Sequence, residues 1–446
     1  MMRRRTLLGL GCAMGLECVV GESPAMGRYP VGGSLSLQIP HDTSQVDPHD
    51  LSDPMAAIVG SALFETVFRL DVSGTPYPSL AQSPPTLDGT NVRVTLREGL
   101  RTSRGRALDA RDLVASVERA RSRGASALLS HVARPVVARG KPRVAVFRDV
   151  DPVDLARLLS SPLLAVVSRS SSPAAPDGTG PFRADPSPER LVLTRNRYAA
   201  RGPAFLDRVT LIRASDLTGP LRAFEARQVD VGWLGAGYYQ QRSDAVPFDF
   251  GSVAWVVLRT GNEAGAWGGP GVAQRMLDGI EPSRLARLVL GSYPAQAAPT
   301  PWGGGPCEIL APARSPHLAE TARTLASILS APGHEITPRV LPDAEVDRRR
   351  RSGAFALMVD LVRPIGPPGV ATLFALATAD DPARATSIVR SPPRLTSFAP
   401  RVLARTLRLG VVGDLRVAGA ATESVRLQPQ ADGIGWDLGA SYRLGA

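Results

Sequence analysis

Lysine is all but missing from this 446-residue chain. Lys141 is the lone lysine among 52 lysine and arginine residues, so the net charge of +11 is carried by arginine. The arginines are scattered through every segment, which excludes the localised basic face, interleaved with aromatics, that nucleic-acid recognition uses. Aromatic residues make up only 5% of the chain, too few for base-stacking platforms. Cysteine is scarce too: Cys12, Cys18 and Cys307. Loss of the amino-terminal segment would leave Cys307 alone, which excludes an internal disulfide and a multi-cysteine metal site. The Gly-x-Ser-x-Gly elbow, the Walker loop and the His-Glu-x-x-His helix are absent, and with them the commonest hydrolase, NTPase and metalloprotease signatures. Neither heptads nor internal repeats are present.

What remains reads as a large folded chain. Hydrophobic residues at 43%, charged residues at 21% and a mean hydropathy of -0.02 match folded domains and not disorder. The length predicts several lobes. Arg3, Arg4 and Arg5 precede an apolar stretch, Leu7 to Val20, too short for the roughly 20 residues of a membrane span. This is the pattern of an export signal, with cleavage expected after Ala25 and both the Sec and twin-arginine routes open. The residues before Cys12 and Cys18 miss the Leu-x-small pattern of a lipoprotein, so a lipid anchor ranks second to a free exported protein.

Period-2 alternation predicts a strand over Ser34 to Ile39, and others at Asn91 to Leu96, Arg190 to Thr194, Arg208 to Ile212 and Glu335 to Leu341. Helical spacing predicts helices over Pro54 to Phe68, Leu217 to Arg227 and His317 to Leu329. The tail from Leu407 to Leu444 reads as short alternating strands. Asp109 is placed as the cap of a further helix with Asp112 as its capping-box partner, which makes this acidic pair structural and not catalytic. Linkers are expected at Ser168 to Asp177, Gly261 to Gly271 and Thr300 to Pro306. His41, Asp42, Asp47, His49 and Asp50 lie within ten residues and raise the question of a metal site, but they are ordinary turn residues, and no metal is expected. His131, His317 and His334 are expected at the surface or in caps.

Three stretches then resemble a known family. The first runs through Val46-Asp47-Pro48, Leu63-Phe64-Glu65-Thr66-Val67 and Gly74-Thr75-Pro76-Tyr77-Pro78-Ser79-Leu80-Ala81. The second joins Asp88-Gly89, Val92 to Leu100 and Gly105 to Glu118. The third begins at Gly178-Thr179-Gly180-Pro181-Phe182 and continues through Asn196-Arg197-Tyr198, Leu206-Asp207-Arg208-Val209 and Val229-Asp230-Val231. Their order and spacing are similar to those of the family 5 extracellular solute-binding proteins, the oligopeptide, dipeptide and nickel receptors of ABC importers. Three places depart from the family pattern: Ser83-Pro84-Pro85, Thr102 to Gly105, and Val272 to Leu285, where a family helix is only loosely matched.

The resemblance implies an α/β, bilobal, periplasmic-binding-protein-like fold of type II, with three subdomains and discontinuous lobes joined by hinge crossings. Residues 1–25 would be the export signal. Lobe I would take 26–65, 178–235 and 400–446, an inserted subdomain 66–177, and the ligand-closing lobe II 236–399. Gly178, Gly180 and Pro181 form a tight turn expected at one crossing, with Asp230 to Gly237 at another. Candidate ligand-binding residues are Trp233, Tyr238, Tyr239, Trp255, Trp267, Asp360, Arg363 and Asp380. Peptide receptors of the family pair the ligand's amino terminus with an aspartate, a role for which Asp360, Asp380 and Asp381 all qualify. The expected partners are a small polar, peptide-like solute and a membrane permease, with no cofactor, no nucleic acid, a monomeric state and a periplasmic location. A sensory or structural descendant of the fold is the alternative, and an exported enzyme a more distant one.

Overall fold

The computed structural model describes residues 31–233, 242–390, 397–431 and 434–445. The proposed signal segment therefore lies outside the described residues. Ten strands form one large sheet in the order Ile336–Leu341, Cys307–Pro312, Leu357–Val362, Ala245–Thr260, Leu409–Thr422, Val231–Trp233, Ser34–Ile39, Arg208–Arg213, Arg190–Arg195, Phe182–Pro186. The chain first builds Ser34–Ile39 near one end of the sheet, fills in its neighbours, crosses to the other end, and returns. This is a type II periplasmic-binding-protein architecture, mixed α/β with discontinuous lobes.

Two long antiparallel strands carry the crossing. Ala245–Thr260 has 16 residues and Leu409–Thr422 has 14. The far end of the second, Gly419 to Ala421, pairs with Val231–Trp233 toward one end of the sheet. The last six residues of the first, Trp255 to Thr260, pair with Leu357–Val362 toward the other. Between these ends their mutual register shifts three times, between Asp249 and Ser252, Ser252 and Ala254, and Val256 and Val257. Each such irregularity bends a strand locally and raises its twist, so the sheet turns between its two ends. The expectation of short strands in the tail is corrected here. Leu409–Thr422 is one 14-residue strand because it pairs along most of its length with Ala245–Thr260, and its glycines are absorbed within the strand.

Residues 86–148 contribute a separate four-stranded sheet, Thr86–Asp88, Asn91–Thr95, Val144–Arg148 and Val136–Val137. The helix Ala110–Ser122 is part of the same unit and begins with a complete capping box. Arg111 N donates to Asp109 Oδ1 at 2.7 Å, and Asp109 N donates to Asp112 Oδ2 at 3.0 Å. The sequence assigned these roles correctly because capping is a local, short-range geometry.

Other helices differ from expectation in length. Pro54–Leu63 stops at Phe64, whose extended backbone starts the run into the strand Phe68–Leu70. The expected helix to Phe68 is shortened because Val67 and Phe68 belong to the core of the inserted unit. Gly219–Glu225 is likewise shorter than Leu217 to Arg227, since Arg227 sits at positive φ. No helix among the described residues is long and apolar enough to cross a membrane.

The expected linkers fall at different levels of the architecture. Ser168 to Asp177 leads back from the inserted unit to the main sheet. Gly261 to Gly271 contains the short helical segment Asn262–Gly268 after the long strand, and Thr300 to Pro306 leads into Cys307–Pro312. The last two are therefore connections at one end of the sheet.

Candidate functional site

A cleft with a cavity of about 160 Å³ opens where several distant parts of the chain meet. One wall is the helix Pro54–Leu63 and the residues after it. Asp53 caps this helix, accepting from Ala56 N at 3.0 Å, and Pro54 occupies its first turn. Its cleft face is built of Ala56, Ala57, Gly60 and Ser61, side chains too small to fill the space. Beyond the helix end come Glu65, Thr66 and Arg69. The facing wall is Arg363 to Pro367, which follows the strand Leu357–Val362. Arg201, Val253, Gln430 and Ile434 close the sides.

Among the described residues, the charge lining this cleft is lopsided: Arg69, Arg201 and Arg363 against one carboxylate, Glu65. Glu65 is 5% exposed, and Arg201 Nε donates to its Oε1 at 2.8 Å. Its Oε2 is buried without a hydrogen-bond partner. Burial pushes the Glu65 carboxyl above its ordinary pKa, against the attraction of Arg201, Arg69 and Arg97. Among the described residues, the Arg69 side chain makes one hydrogen bond, a long one from Nη2 to Gln430 Oε1 at 3.5 Å. Arg363 is 5% exposed and ties the walls together. Its backbone N donates to Leu51 O at 3.0 Å, and its Nη1 to Asp50 O at 3.0 Å and Pro48 O at 3.3 Å. Burial lowers its pKa from the ordinary arginine value. Behind it, Asp47 is held bidentately by Arg119, both contacts 2.8 Å, and Asp50 lies 3.6 Å from Arg314. Neither Asp47 nor Asp50 lines the cleft.

Of the residues singled out from sequence, the structure brings one to this cleft, Arg363. Trp233 is 1% exposed, packed in the main core with its indole N–H on Arg416 O at 3.1 Å. Trp255 lies on the opposite face of its strand from Val256, in the core shared with the inserted unit. Trp267 packs against Trp302 with ring centroids 5.3 Å apart. Asp360 is a buried ion-pair centre: Arg259 Nη1 reaches its Oδ2 at 3.0 Å and Arg350 Nη2 its Oδ1 at 2.9 Å. Asp380 accepts from Arg408 N, and Asp381 from Ala383 N. None of the three aspartates lines the cleft. Tyr238 and Tyr239 lie outside the described residues.

The turn at Gly178 to Pro181 sits at the seam between the inserted unit and the main sheet. Ser103 N donates to Gly178 O at 2.7 Å, and Gly180 N to Leu63 O at 3.0 Å. Neither glycine has a positive φ. What demands glycine is close approach: a Cβ on Gly178 would lie 2.3 Å from Leu63 O, and one on Gly180 2.6 Å from Ala62 O. The other expected crossing, Asp230 to Gly237, is described only through Trp233, and Asp230 there receives hydrogen bonds from Ser36 and Arg443.

The amino-terminal histidines and aspartates are already engaged. His49 accepts from Arg119 at Nδ1 and donates from Nε2 to Ala165 O at 2.9 Å, and burial lowers its pKa to about 4. His41 meets Ser315 Oγ at 3.0 Å and stands edge-on to His317. His317 is fully buried, correcting its expected surface position, and bonds Leu288 O through Nε2. No cluster of three metal-binding side chains occurs among the described residues. Cys307 is half-buried, and its thiol is pushed up to about 11 by burial.

Glu65, Arg69, Arg201 and Gln430 are the cleft residues that sequence reasoning missed. Glu65 stood inside a stretch that carried the family resemblance, but nothing in its neighbours marks it as buried.

Residues 75–255 match the family described as bacterial extracellular solute-binding proteins, family 5 Middle. No curated protein matches the chain. Among solved structures, it is similar to the oligopeptide-binding protein AppA from Bacillus subtilis in complex with a nonapeptide, with a TM-score of 0.71 at 12% identity, covering 93% of this chain and 100% of that one. It is also similar to the periplasmic binding protein DppA from Helicobacter pylori in complex with the peptide STSA, at TM-score 0.70 and 14% identity, covering 93% and 98%. NikA from Staphylococcus aureus in complex with Ni(L-His)2 aligns at TM-score 0.66 and 15% identity, covering 92% and 100%. These likenesses establish the fold, and residues 75–255 carry the family 5 sequence.

Proposed function

We propose that this protein is an extracytoplasmic receptor that closes on a small polar solute and delivers it to the permease of an ABC importer, without chemistry of its own. The observation that carries the reading is the cleft, lined by the helix Pro54–Leu63 on one side and by Arg363 to Pro367, some 300 residues further along the chain, on the other. A solute held by both walls binds the closed arrangement more tightly than the open one, and that difference is the work a receptor does. The bulged strands Ala245–Thr260 and Leu409–Thr422 supply the crossing about which the lobes move, with the seam at Gly178 to Pro181 fixing the inserted unit.

The lobe division read from sequence, with lobe I from 26–65, 178–235 and 400–446, an insert of 66–177 and lobe II of 236–399, belongs to this proposal. So do export by residues 1–25, a monomeric state and a periplasmic location. The neighbours in complex with peptides, and the one with a nickel–histidine chelate, support a small polar solute as the cargo. Of the three aspartates eligible to anchor a peptide's amino terminus, Asp360 is held in a buried ion pair, Asp380 accepts from Arg408 N, and Asp381 is exposed with a local bond from Ala383 N.

Native mass spectrometry of protein taken from the cell envelope identifies the co-purified solute. Small-angle scattering with and without it then measures compaction. A smaller radius of gyration on binding is expected. Identical curves at saturation remove the receptor mechanism and favour a sensory or structural role.

A further inference from the structure

From the cleft's charge balance we infer that the solute is a small anion bearing at least two carboxylates, held by Arg69, Arg201 and Arg363, with a hydrogen-bond donor on the solute meeting Glu65. This rests on the receptor reading and names the class of solute for that same site. Among the described residues, three guanidiniums line the cleft against one carboxylate, and they come from separate parts of the chain. Their existing partners leave capacity. Arg201 spends Nε on Glu65 and is a third exposed. Arg69 makes one hydrogen bond among the described residues, at the limit of hydrogen-bond length. Arg363 satisfies two carbonyls through Nη1 alone, and its Nη2 lies 4.0 Å from where a Cβ on Gly60 would stand, on the small-residue face of the cleft.

Planar guanidiniums pair with carboxylates through two parallel N–H bonds, which makes arginine the residue suited to such a ligand. A cationic peptide would meet like charge at all three guanidiniums, and a neutral one would leave them with no more than their present partners. Glu65 adds the second element of recognition. Its Oε2 is buried without a partner, so a solute N–H or O–H directed at it fills an acceptor that the protein itself leaves open. The solute is thus acidic overall with one donor group, the pattern of an acidic amino-acid conjugate.

The test uses the full chain and three dipeptide probes of equal length, Glu-Glu, Ala-Ala and Lys-Lys, measured by isothermal titration calorimetry at low and at 0.3 M salt. Glu-Glu is expected to bind at least tenfold more tightly than the other two, and to weaken several-fold at the higher salt, because part of the attraction is screened. Arg69→Gln, which gives up one long hydrogen bond among the described residues, is expected to lose about tenfold in Glu-Glu affinity with little change in melting temperature. The double variant Glu65→Gln with Arg201→Gln removes a second cation without stranding a buried carboxylate, and is expected to lose a comparable factor. Equal or tighter binding of Ala-Ala or Lys-Lys, no binding of any probe, or full Glu-Glu affinity in Arg69→Gln would overturn the inference. The two readings fail separately. A neutral or basic solute that co-purifies and compacts the protein leaves the receptor standing and removes only the acidic class.

Discussion

Asp360 and Glu65 are both buried carboxylates among arginines, and their surroundings end differently. Asp360 is 1% exposed; Arg259 and Arg350 take its two oxygens, and Leu361 N adds a bond to Oδ1 at 2.9 Å. The arginines lower its pKa against the burial that raises it, and every charge in the cluster is answered from within. Glu65 has one arginine on one oxygen, nothing on the other, and a void beside it. Desolvation there outweighs the cations and raises its pKa. The same residue types therefore serve two purposes. A saturated cluster holds two strands of the main sheet in register, whereas an unsaturated one next to a cavity is poised for something outside the protein. Saturation, and not composition, separates structure from site.

The largest test of that contrast is Asp360→Asn. It takes from buried Arg259 its paired carboxylate and from Arg350 one of two, Asp347 being the other, and should cost about 3–5 kcal/mol, read from the urea midpoint. A loss below about 1 kcal/mol would mean that the cluster is not self-contained.

Gly180→Val comes next, at about 1–3 kcal/mol of overpacking, because the added atoms meet the backbone of Ala62 and Leu63 and not a flexible side chain. A change in ligand affinity at unchanged melting temperature would instead mark the seam as a moving hinge.

The pH response follows. His317 and His49 stay neutral to about pH 4 in the folded chain, and His41 is held well below its ordinary value, chiefly by burial. Unfolded imidazoles bind protons near pH 6.5, so between pH 6.5 and 4 the unfolded state binds more of them. Their contribution is complete above pH 6.5 and is lost as the pH falls toward 4. Asp53, pushed up to about 6 by burial, works in the opposite direction over that window and offsets part of the loss. The slope of melting temperature against pH should be shallower in His317→Gln, by an amount worth about 3 kcal/mol across the window. An unchanged slope would show that His317 does not contribute.

Glu65→Gln is expected to have the smallest effect on stability, under about 1 kcal/mol, since Arg201 is a third exposed and can turn to water. Destabilisation as large as that of Asp360→Asn would erase the distinction between the two clusters.

Much of the framework was legible because its signals are local. The strand Ser34–Ile39 follows from alternation, the cap at Asp109 from an Asp-x-x-Asp spacing, and the glycine requirement at 178 and 180 from the motif, although its cause is contact with Leu63 and Ala62 and not a left-handed backbone. The cleft was hidden for the complementary reason. Glu65, Arg201, Arg363 and Gln430 are separated by 65 residues or more, and each looks like an ordinary polar position in its own neighbourhood.

By itself, the sequence determined the fold class, the order of the strands along the chain and the family resemblance, because period, capping and turn chemistry act over a few residues. The tertiary structure alone decided that Trp233 and Trp255 are core, that Asp360 is an internal counter-ion, and that Arg69, Arg201, Arg363 and Glu65 line one cleft. Those outcomes depend on which side of a strand faces which core, and on what remains unpaired once all the layers have packed. Both are fixed only when segments far apart in the chain come into contact.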